Sequence, residues 1–142
     1  MPFINFMNIT RALSDENRAR ILMILRGNEF CVCQITAFLD LSPSTTSKHL
    51  SVLKQARLIE GKKEGKWVYY HLADAESPES YEMARGAIDW VERSIGDSQV
   101  ARKDRERVRQ ILESERERYG IDGCRVSDEF HSVAVHSLEA VD

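Results

Sequence analysis

The chain has 142 residues, of which 42% are hydrophobic and 30% charged, a composition typical of a soluble domain with a modest core. No apolar run approaches the ~18 residues needed to cross a bilayer. Residues 1–10 lack the basic start and long apolar stretch of a signal peptide, so we expect a cytoplasmic protein without membrane contact. The formal net charge of -3 by itself argues against a nucleic-acid partner.

The charge is unevenly distributed along the chain. Residues 1–73 hold 10 Lys/Arg against 6 Asp/Glu, a net +4, and residues 74–142 hold 10 against 17, a net -7. Within residues 41–72 the ratio is 6 basic to 2 acidic. Such asymmetry indicates either a polyanionic partner at one face or simply two solvated surfaces of opposite sign.

The N-terminal part of the chain predicts two helices. Residues 1–13 are too apolar for a loose tail and predict a short helix that packs on another element. Ser14 is a suitable N-cap for a second helix over residues 15–26, and Gly27 is a suitable residue to end it. The buried stripe predicted for this second helix consists of Ile21, Leu22 and Leu25.

Two further helices and a hairpin are predicted next. A helix over residues 30–38 leads to a turn at residues 40–42, where Ser42 and Pro43 form an N-cap and first-position pair. The helix that they open runs to about Ala56. Two short strands, residues 58–60 and 67–72, enclose a tip at residues 61–66 that is rich in glycine and lysine.

The rest of the chain predicts a long helix, a charged helix and a tail. Ser77 and Pro78 open a helix to Ile95, with an apolar seam at steps of three and four residues that is typical of helix–helix packing. The seam residues are Tyr81, Ala84, Ile88, Val91 and Ile95. Residues 98–118 predict a solvent-exposed helix. We therefore divide the chain into one domain over residues 1–97 and a charged helical extension with a flexible tail over residues 98–142.

The order helix, turn, capped helix and basic hairpin predicts a mainly α fold with a small β-hairpin, the winged helix-turn-helix. In this arrangement the second helix presents its N-terminal residues to DNA, and hairpin lysines reach phosphates. Runs of Ser/Thr often merely open helices and Lys-rich turns are often merely solvated, but both together in the basic segment favour DNA binding. The predicted DNA-binding residues are Ser44, Thr45, Thr46, Ser47, Lys48, His49, Lys62, Lys63 and Lys66.

Cys31 and Cys33 predict a site for a soft, thiophilic metal ion. Residues i and i+2 lie about 200° apart in a regular helix, whereas in an extended segment they share a face. If both thiolates bind one ion, the start of the helix over residues 30–38 must be distorted, and this opposes the DNA-binding geometry. The alternative is a buried cysteine with its neighbour exposed by chance.

Four sequence blocks resemble the ArsR-type metalloregulatory repressors over about residues 5–95. The blocks are ALSDENRARIL at residues 12–22, FCVCQI at 30–35, STTSKHLSVL at 44–53 and GKWVYY at 65–70. The resemblance implies a homodimer that occupies double-stranded, palindromic operator DNA and leaves it when an inducer binds. It also implies that Cys31 and Cys33 form an arsenite- or cadmium-type thiolate site, that residues 43–56 form the recognition helix and that residues 60–71 form the wing.

Three departures from the family pattern limit the choice of ion that could act as the inducer. The arsenite-type motif commonly has a third cysteine where this chain has Thr36, and As(III) or Sb(III) prefers three thiolates, so Cys124 is the candidate third ligand. The N-terminal arm holds none of the extra cysteines of cadmium and lead sensors. Residues 80–95 contain no histidine, so we expect no zinc or nickel site on that helix. His131 and His136 are expected to be solvated.

The arsenite-responsive branch is therefore the first hypothesis, with As(III) or another thiophilic ion as inducer and no organic cofactor. A Cd(II) or Pb(II) sensor and a dithiol redox sensor of the same fold are alternatives. A protein-interaction module that does not bind DNA is the alternative from another class. An enzyme is not expected, because no nucleophile–base pair or phosphate loop stands out. We expect the dimer to form through residues 81–95 together with Phe3, Phe6 and Met7, and to require Ile88.

Overall fold

A computed structural model describes residues 2–74 and 81–119. In this part of the chain it contains six helices and three strands. In chain order the elements are α1 (Pro2–Leu13), α2 (Glu16–Ile24), β1 (Phe30–Cys31), α3 (Val32–Leu39), α4 (Pro43–Gln55), β2 (Ile59–Glu64), β3 (Trp67–Leu72), α5 (Tyr81–Ile95) and α6 (Gln99–Tyr119). The fold is mainly helical with one small antiparallel sheet, as the sequence predicts. No helix of these residues is long and apolar enough to cross a membrane.

The first two helices lie where the sequence predicts them, but α2 has a different cap. Asp15 rather than Ser14 is the N-cap residue, and its carboxylate accepts hydrogen bonds from the backbone N–H groups of Asn17 and Arg18. The Ser14 hydroxyl instead donates to the carbonyl of Arg11 and closes the last turn of α1. Gly27 follows α2 with a φ of 72°, a left-handed conformation that glycine adopts without a steric penalty.

The helix-turn-helix consists of α3 and α4. The prediction that α3 starts at Phe30 is wrong, because Phe30–Cys31 is extended and pairs with β3. Asp40 ends α3 in the left-handed conformation, and Ser42 caps α4 by accepting a hydrogen bond from the N–H of Thr45. The rings of Phe30 and Phe38 pack edge to face with centroids 4.7 Å apart, which fixes α3 on the core.

The sheet has the strand order β1-β3-β2 and is antiparallel throughout. Glu64 pairs with Trp67, so the hairpin turn contains only Gly65 and Lys66, and Gly65 provides the positive φ of 62° that tight hairpin turns require. The prediction of a six-residue tip is therefore wrong: Lys62 and Lys63 lie within strand β2.

The two C-terminal helices are more buried than the sequence predicts. Ala84, Ile88 and Val91 of α5 pack into the core of the same chain. Helix α6 is present as predicted, but it is not exposed on all sides, because it packs against α2 and α3. Its buried residues are Ala101, Asp104, Val108 and Glu115. The predicted start of α5 at residues 77–78 and the predicted tail from residue 120 lie outside the described residues.

Candidate functional site

Helix α4 presents a polar stripe to solvent. Ser44, Ser47, Lys48 and Ser51 are exposed, and their spacing of three, four and seven residues puts them on one face of the helix. Lys54 continues this stripe at the C-terminal end. We call these five residues the α4 stripe. Its short hydroxyls and cations are side chains that hydrogen-bond to base edges and phosphates in a DNA groove. Ser51 and Lys54 were missed by sequence reasoning, although the helical period extended from Ser47 identifies both.

Thr46 does not belong to the α4 stripe. It is fully buried, accepts a hydrogen bond from the Thr36 hydroxyl at 3.0 Å and donates to the carbonyl of Ser42. Its expected contact with DNA is therefore corrected to a structural link between α3 and α4. Thr45 is half-buried, and its hydroxyl accepts a hydrogen bond from the Ser42 hydroxyl at 2.8 Å, so it takes part in the cap.

His49 points towards the start of α2 rather than to open solvent. Its Nδ1 lies 3.2 Å from the Nη1 of Arg18, and its Nε2 lies 4.0 Å from the carboxylate of Asp15. Burial raises the pKa of Asp15, but the N–H groups that it caps and the charges of His49 and Arg18 outweigh this effect and hold that pKa below its ordinary value. His49 thus connects α4 to α2, and its side chain is mostly covered.

The basic residues of the wing extend along β2 and the hairpin turn. Lys62 and Lys63 are exposed on opposite faces of β2, since neighbouring strand residues alternate. Lys62 lies 3.9 Å from the carboxylate of Glu64, which offsets part of its charge. Lys66 is exposed in the hairpin turn. These three lysines lie around the hairpin end of the sheet, and exposed lysines are side chains that can contact phosphates.

Cys31 and Cys33 lie on either side of the junction between β1 and α3. Cys31 is the N-cap residue of α3, with an extended backbone (φ -82°, ψ 167°), and it pairs with Tyr69 of β3. Cys33 is the second residue of the helix. Both are buried thiols, 2% and 7% exposed. Because only one of the two is in the helix, the 200° separation of a regular helix does not apply to the pair.

The Gln34 side chain caps this junction. Its Oε1 accepts a hydrogen bond from the N–H of Cys31 at 3.1 Å, and its Nε2 donates to the Glu115 carboxylate of α6 at 3.4 Å. Burial raises the pKa of Glu115, and the hydrogen bond from Gln34 opposes that shift. The two buried side chains therefore connect the backbone of Cys31 to the C-terminal helix.

No third metal-binding group joins the two thiols in the described ranges 2–74 and 81–119, which hold no cluster of three His, Cys, Asp or Glu suited to a metal ion. Thr36, at the position of the family's third cysteine, is 1% exposed and directed to Thr46. Cys124, the predicted third ligand, and the histidines at 131 and 136 lie outside the described residues.

The buried α3, the capped and exposed α4 and the basic hairpin together define a winged helix-turn-helix protein of the DNA-binding class. Residues 15–61, which contain α2, α3 and α4, match the family model described as "Bacterial regulatory protein, arsR family". The chain belongs to this ArsR family. Helix α6 lies outside the matched residues.

Curated relatives of this chain are regulators. It is 39% identical to the arsenic resistance transcriptional regulator ArsR1 of Pseudomonas putida over 83 residues, which are 57% of this chain and 64% of that protein. It is 43% identical over 63 residues to the cadmium resistance regulatory protein CadC of Listeria innocua, 44% of this chain and 53% of that one. An HTH-type transcriptional regulator of Methanocaldococcus jannaschii is 39% identical over 67 residues, 46% of this chain and 75% of that protein. The chain thus spans less than two thirds of the first two.

Among solved structures, HlyU from Vibrio cholerae is similar to this chain with a TM-score of 0.56 and 27% sequence identity. The match covers 68% of this chain and 97% of HlyU. Nearly all of that protein therefore corresponds to a part of this chain, and about a third of this chain has no counterpart there.

Proposed function

We propose that this chain is a transcriptional repressor that leaves its operator DNA when As(III) or Sb(III) binds Cys31 and Cys33. The observation that carries the proposal is the position of the two thiols at the joint between the wing sheet and α3. A ligand that draws the two sulfurs together acts on the wing and on the helix-turn-helix at once. The relative in Pseudomonas putida, named an arsenic resistance regulator, supports this inducer class.

Operator binding is assigned to the α4 stripe and to the wing lysines Lys62, Lys63 and Lys66. The stripe is an exposed face of a helix of 13 residues whose buried residues are Thr46, Leu50 and Leu53. Phosphate contacts from these lysines make affinity fall steeply with salt concentration. The formal charge of the whole chain is no obstacle, because the acidic excess lies after residue 73.

Release follows from the demands of the soft ion. Arsenous acid bound by a thiol loses one hydroxyl as water with the thiol proton, and a second thiol displaces a second hydroxyl in the same way. Both bonds place Cys31 and Cys33 on one arsenic atom. Because the two thiols are buried, 2% and 7% exposed, an atom that enters between them displaces the side chains packed there, and the N-terminal turn of α3 shifts. Because Thr36 and Thr46 join α3 to α4 directly, this shift displaces the α4 stripe from its DNA-binding position.

Cys124 is proposed as the third thiolate. As(III) prefers three sulfur ligands, and the chain contains only one cysteine besides the pair. Glu115 of α6 lies against Gln34, the neighbour of Cys33, and Cys124 follows nine positions further along the chain. Because α6 continues to Tyr119, only the five positions from 120 to 124 lie beyond the helix, and five residues span at most about 18 Å. This length is compatible with a ligand from the same chain.

A homodimer through α1 and α5 is also proposed, with a revised choice of test residue. Ile88 is only 7% exposed and packs within its own chain, so a charge there disrupts the fold as well as the dimer. Trp90 is 60% exposed on α5, and α1 exposes Phe3, Ile4, Phe6 and Met7. The two helices touch where the Asn5 amide contacts the Met83 sulfur at 3.6 Å.

The test of the proposed dimer is light scattering on two α5 variants. It should detect monomers for Trp90→Glu and dimers for Arg85→Glu, which alters another exposed α5 residue.

Cd(II) is the second candidate inducer, because the CadC relative of Listeria innocua is named for cadmium resistance. Cd(II) is also a soft ion that thiolates select. It needs more ligands than two thiols, and residues 2–13 supply no cysteine. As(III) is therefore preferred.

The test is fluorescence anisotropy with a labelled duplex that the protein selects from a random-sequence pool. As(III), Sb(III), Cd(II), Zn(II) and a disulfide-forming oxidant are each titrated into the complex. We expect As(III) and Sb(III) to release wild-type protein at the lowest concentrations. Cys31→Ser should bind the duplex and stay bound.

The Cys124→Ser variant separates the two parts of the proposal. A weakened but measurable As(III) response supports Cys124 as third ligand, whereas an unchanged response refutes that role. If none of the soft ions releases the wild-type protein, the inducer proposal is wrong although DNA binding stands. Release by the oxidant alone identifies a redox sensor.

A further inference from the structure

Helix α6 is attached to the DNA-binding region by polar contacts with α2 and α3. The Arg20 guanidinium donates two hydrogen bonds to the Asp104 carboxylate, each 2.9 Å, and this bond with Asp104 raises the Arg20 pKa. Arg107 donates to the carbonyl of Ala37 at 3.3 Å. The third contact is the hydrogen bond between Gln34 and Glu115. Of these three contacts, only the last involves a side chain, that of Gln34, which is also hydrogen-bonded to the backbone of a cysteine.

The Gln34 amide must be oriented in one of two ways. Its oxygen only accepts hydrogen bonds and its nitrogen only donates. Glu115 offers a carboxyl oxygen that accepts from the nitrogen, and this directs the amide oxygen to the N–H of Cys31. Since Gln34 and Glu115 are both only 7% exposed, bulk water does not readily replace either partner.

We propose that Glu115 is a positioning residue of the thiol site and acts through Gln34. By fixing the Gln34 amide, it holds Cys31 in its extended N-cap conformation on the first turn of α3. The effect on inducer sensitivity rests on the proposed function, whereas the effect on the cysteine backbone does not. Helix α6 is thereby part of the sensor, although it lies outside the residues that the family model matches.

The expected direction of the effect on inducer sensitivity follows from the arrangement that the hydrogen bond between Gln34 and Glu115 stabilises. The Gln34–Glu115 pair stabilises the arrangement in which Cys31 belongs to the sheet and Cys33 to the helix. Because both thiols are buried in packed surroundings, an ion that binds both sulfurs disturbs this arrangement. Loss of the Glu115 acceptor therefore increases opening of the first turn and inducer sensitivity, by about three- to tenfold for one buried hydrogen bond.

The experiment compares Glu115→Ala with three matched variants, all in a Cys124→Ser background so that only two thiols react. Glu115→Gln keeps an oxygen acceptor for the Gln34 amide. Glu113→Ala removes an exposed carboxylate of α6 that pairs with Arg109. Val108→Ala weakens the packing of α6 in the core without touching Gln34. Thermal unfolding of each variant is recorded by circular dichroism.

The first readout needs neither metal nor DNA. The rate at which Cys31 and Cys33 react with a chromogenic aromatic disulfide reports opening of the first turn. We expect Glu115→Ala to raise this rate three- to tenfold. The rates of Glu115→Gln and Glu113→Ala should stay within twofold of that of the parent, the Cys124→Ser protein. A parental rate in Glu115→Ala overturns the proposal, and so does an equal increase in Val108→Ala, which would assign the effect to loosened packing.

The second readout is release of the selected duplex by As(III). Glu115→Ala should need a three- to tenfold lower As(III) concentration for half-release, with rescue by Glu115→Gln. A higher concentration would refute the stated direction. If the thiol rate rises but As(III) releases neither the parent nor wild-type protein, Glu115 is confirmed as a positioning residue and the inducer assignment fails.

Discussion

The two helices of the helix-turn-helix differ sharply in how they are held. Seven of the eight residues of α3 are buried, from Cys33 to Leu39, whereas α4 buries only Thr46, Leu50 and Leu53 of its 13. Helix α3 is enclosed by α2, α4, α6 and the sheet. A shift of α3 therefore displaces the elements packed against it, because close-packed interiors transmit strain. Helix α4 has the free surface that a DNA contact needs.

The largest effect that sharpens this comparison is expected from Phe38→Ala on α3. Phe38 is fully buried against Phe30, so we expect the free energy of unfolding to fall by about 3–5 kcal/mol. Urea denaturation followed by circular dichroism measures this change. A loss below about 0.5 kcal/mol, the usual range for a surface change, would mean that α3 is not a core helix.

A smaller effect is expected where the two helices are joined. Thr36→Val keeps the shape of the side chain but removes the hydroxyl that donates to Thr46. We expect a loss of stability of about 1–2 kcal/mol. In a double-mutant cycle with Thr46→Val the two losses should not add, since both variants remove the same bond. Simple additivity would show that the hydroxyls do not link α3 and α4.

The third prediction concerns the cap of α2, which also faces α4 through His49. Asp15→Ala should cost about 1 kcal/mol at neutral pH. The lowered pKa of Asp15 in the folded protein means that its charge stabilises the fold above the ordinary carboxyl pKa, and that this contribution is lost as the pH falls through the lowered value. Asp15→Asn keeps a capping oxygen without the charge, so it should reduce the acid sensitivity of unfolding. Unchanged acid sensitivity in both variants would contradict the assignment.

The smallest effect on stability is expected on α4 itself. Lys48 is exposed, so Lys48→Ala should change the free energy of unfolding by less than about 0.5 kcal/mol. Its affinity for the selected duplex should fall, and the slope of log affinity against log salt should become shallower by about one. An unchanged slope, measured by anisotropy at several NaCl concentrations, would remove Lys48 from the phosphate contacts.

Local signals were sufficient to predict much of the fold. Ser42 and Pro43 placed the start of α4 correctly, since cap and first-position preferences act within one turn. The order of elements and the four sequence blocks correctly predicted the winged helix-turn-helix and the family. The same reasoning placed Lys48 and Ser47 on an exposed helix face.

The failures concern features that depend on distant parts of the chain. Phe30–Cys31 is extended because it pairs with Tyr69 and Tyr70, and no local pattern shows a strand of two residues. Thr46 is buried because Thr36 faces it from another helix. Likewise, the buried face of α6 depends on Arg20, 84 residues away from Asp104. The many charged residues of α6 led us to predict full exposure. Two of its acidic residues are instead buried and accept hydrogen bonds, Asp104 from Arg20 and Glu115 from Gln34.

The central claim is that inducer binding at Cys31 and Cys33 controls the affinity of α4 for DNA. Its most direct test is the ratio of the dissociation constants for the selected duplex with and without one equivalent of As(III), for wild-type protein and Cys33→Ala. We predict that As(III) weakens wild-type binding at least tenfold, about 1.4 kcal/mol of coupling, and leaves Cys33→Ala unchanged. Equal ratios for the two proteins would contradict the claim.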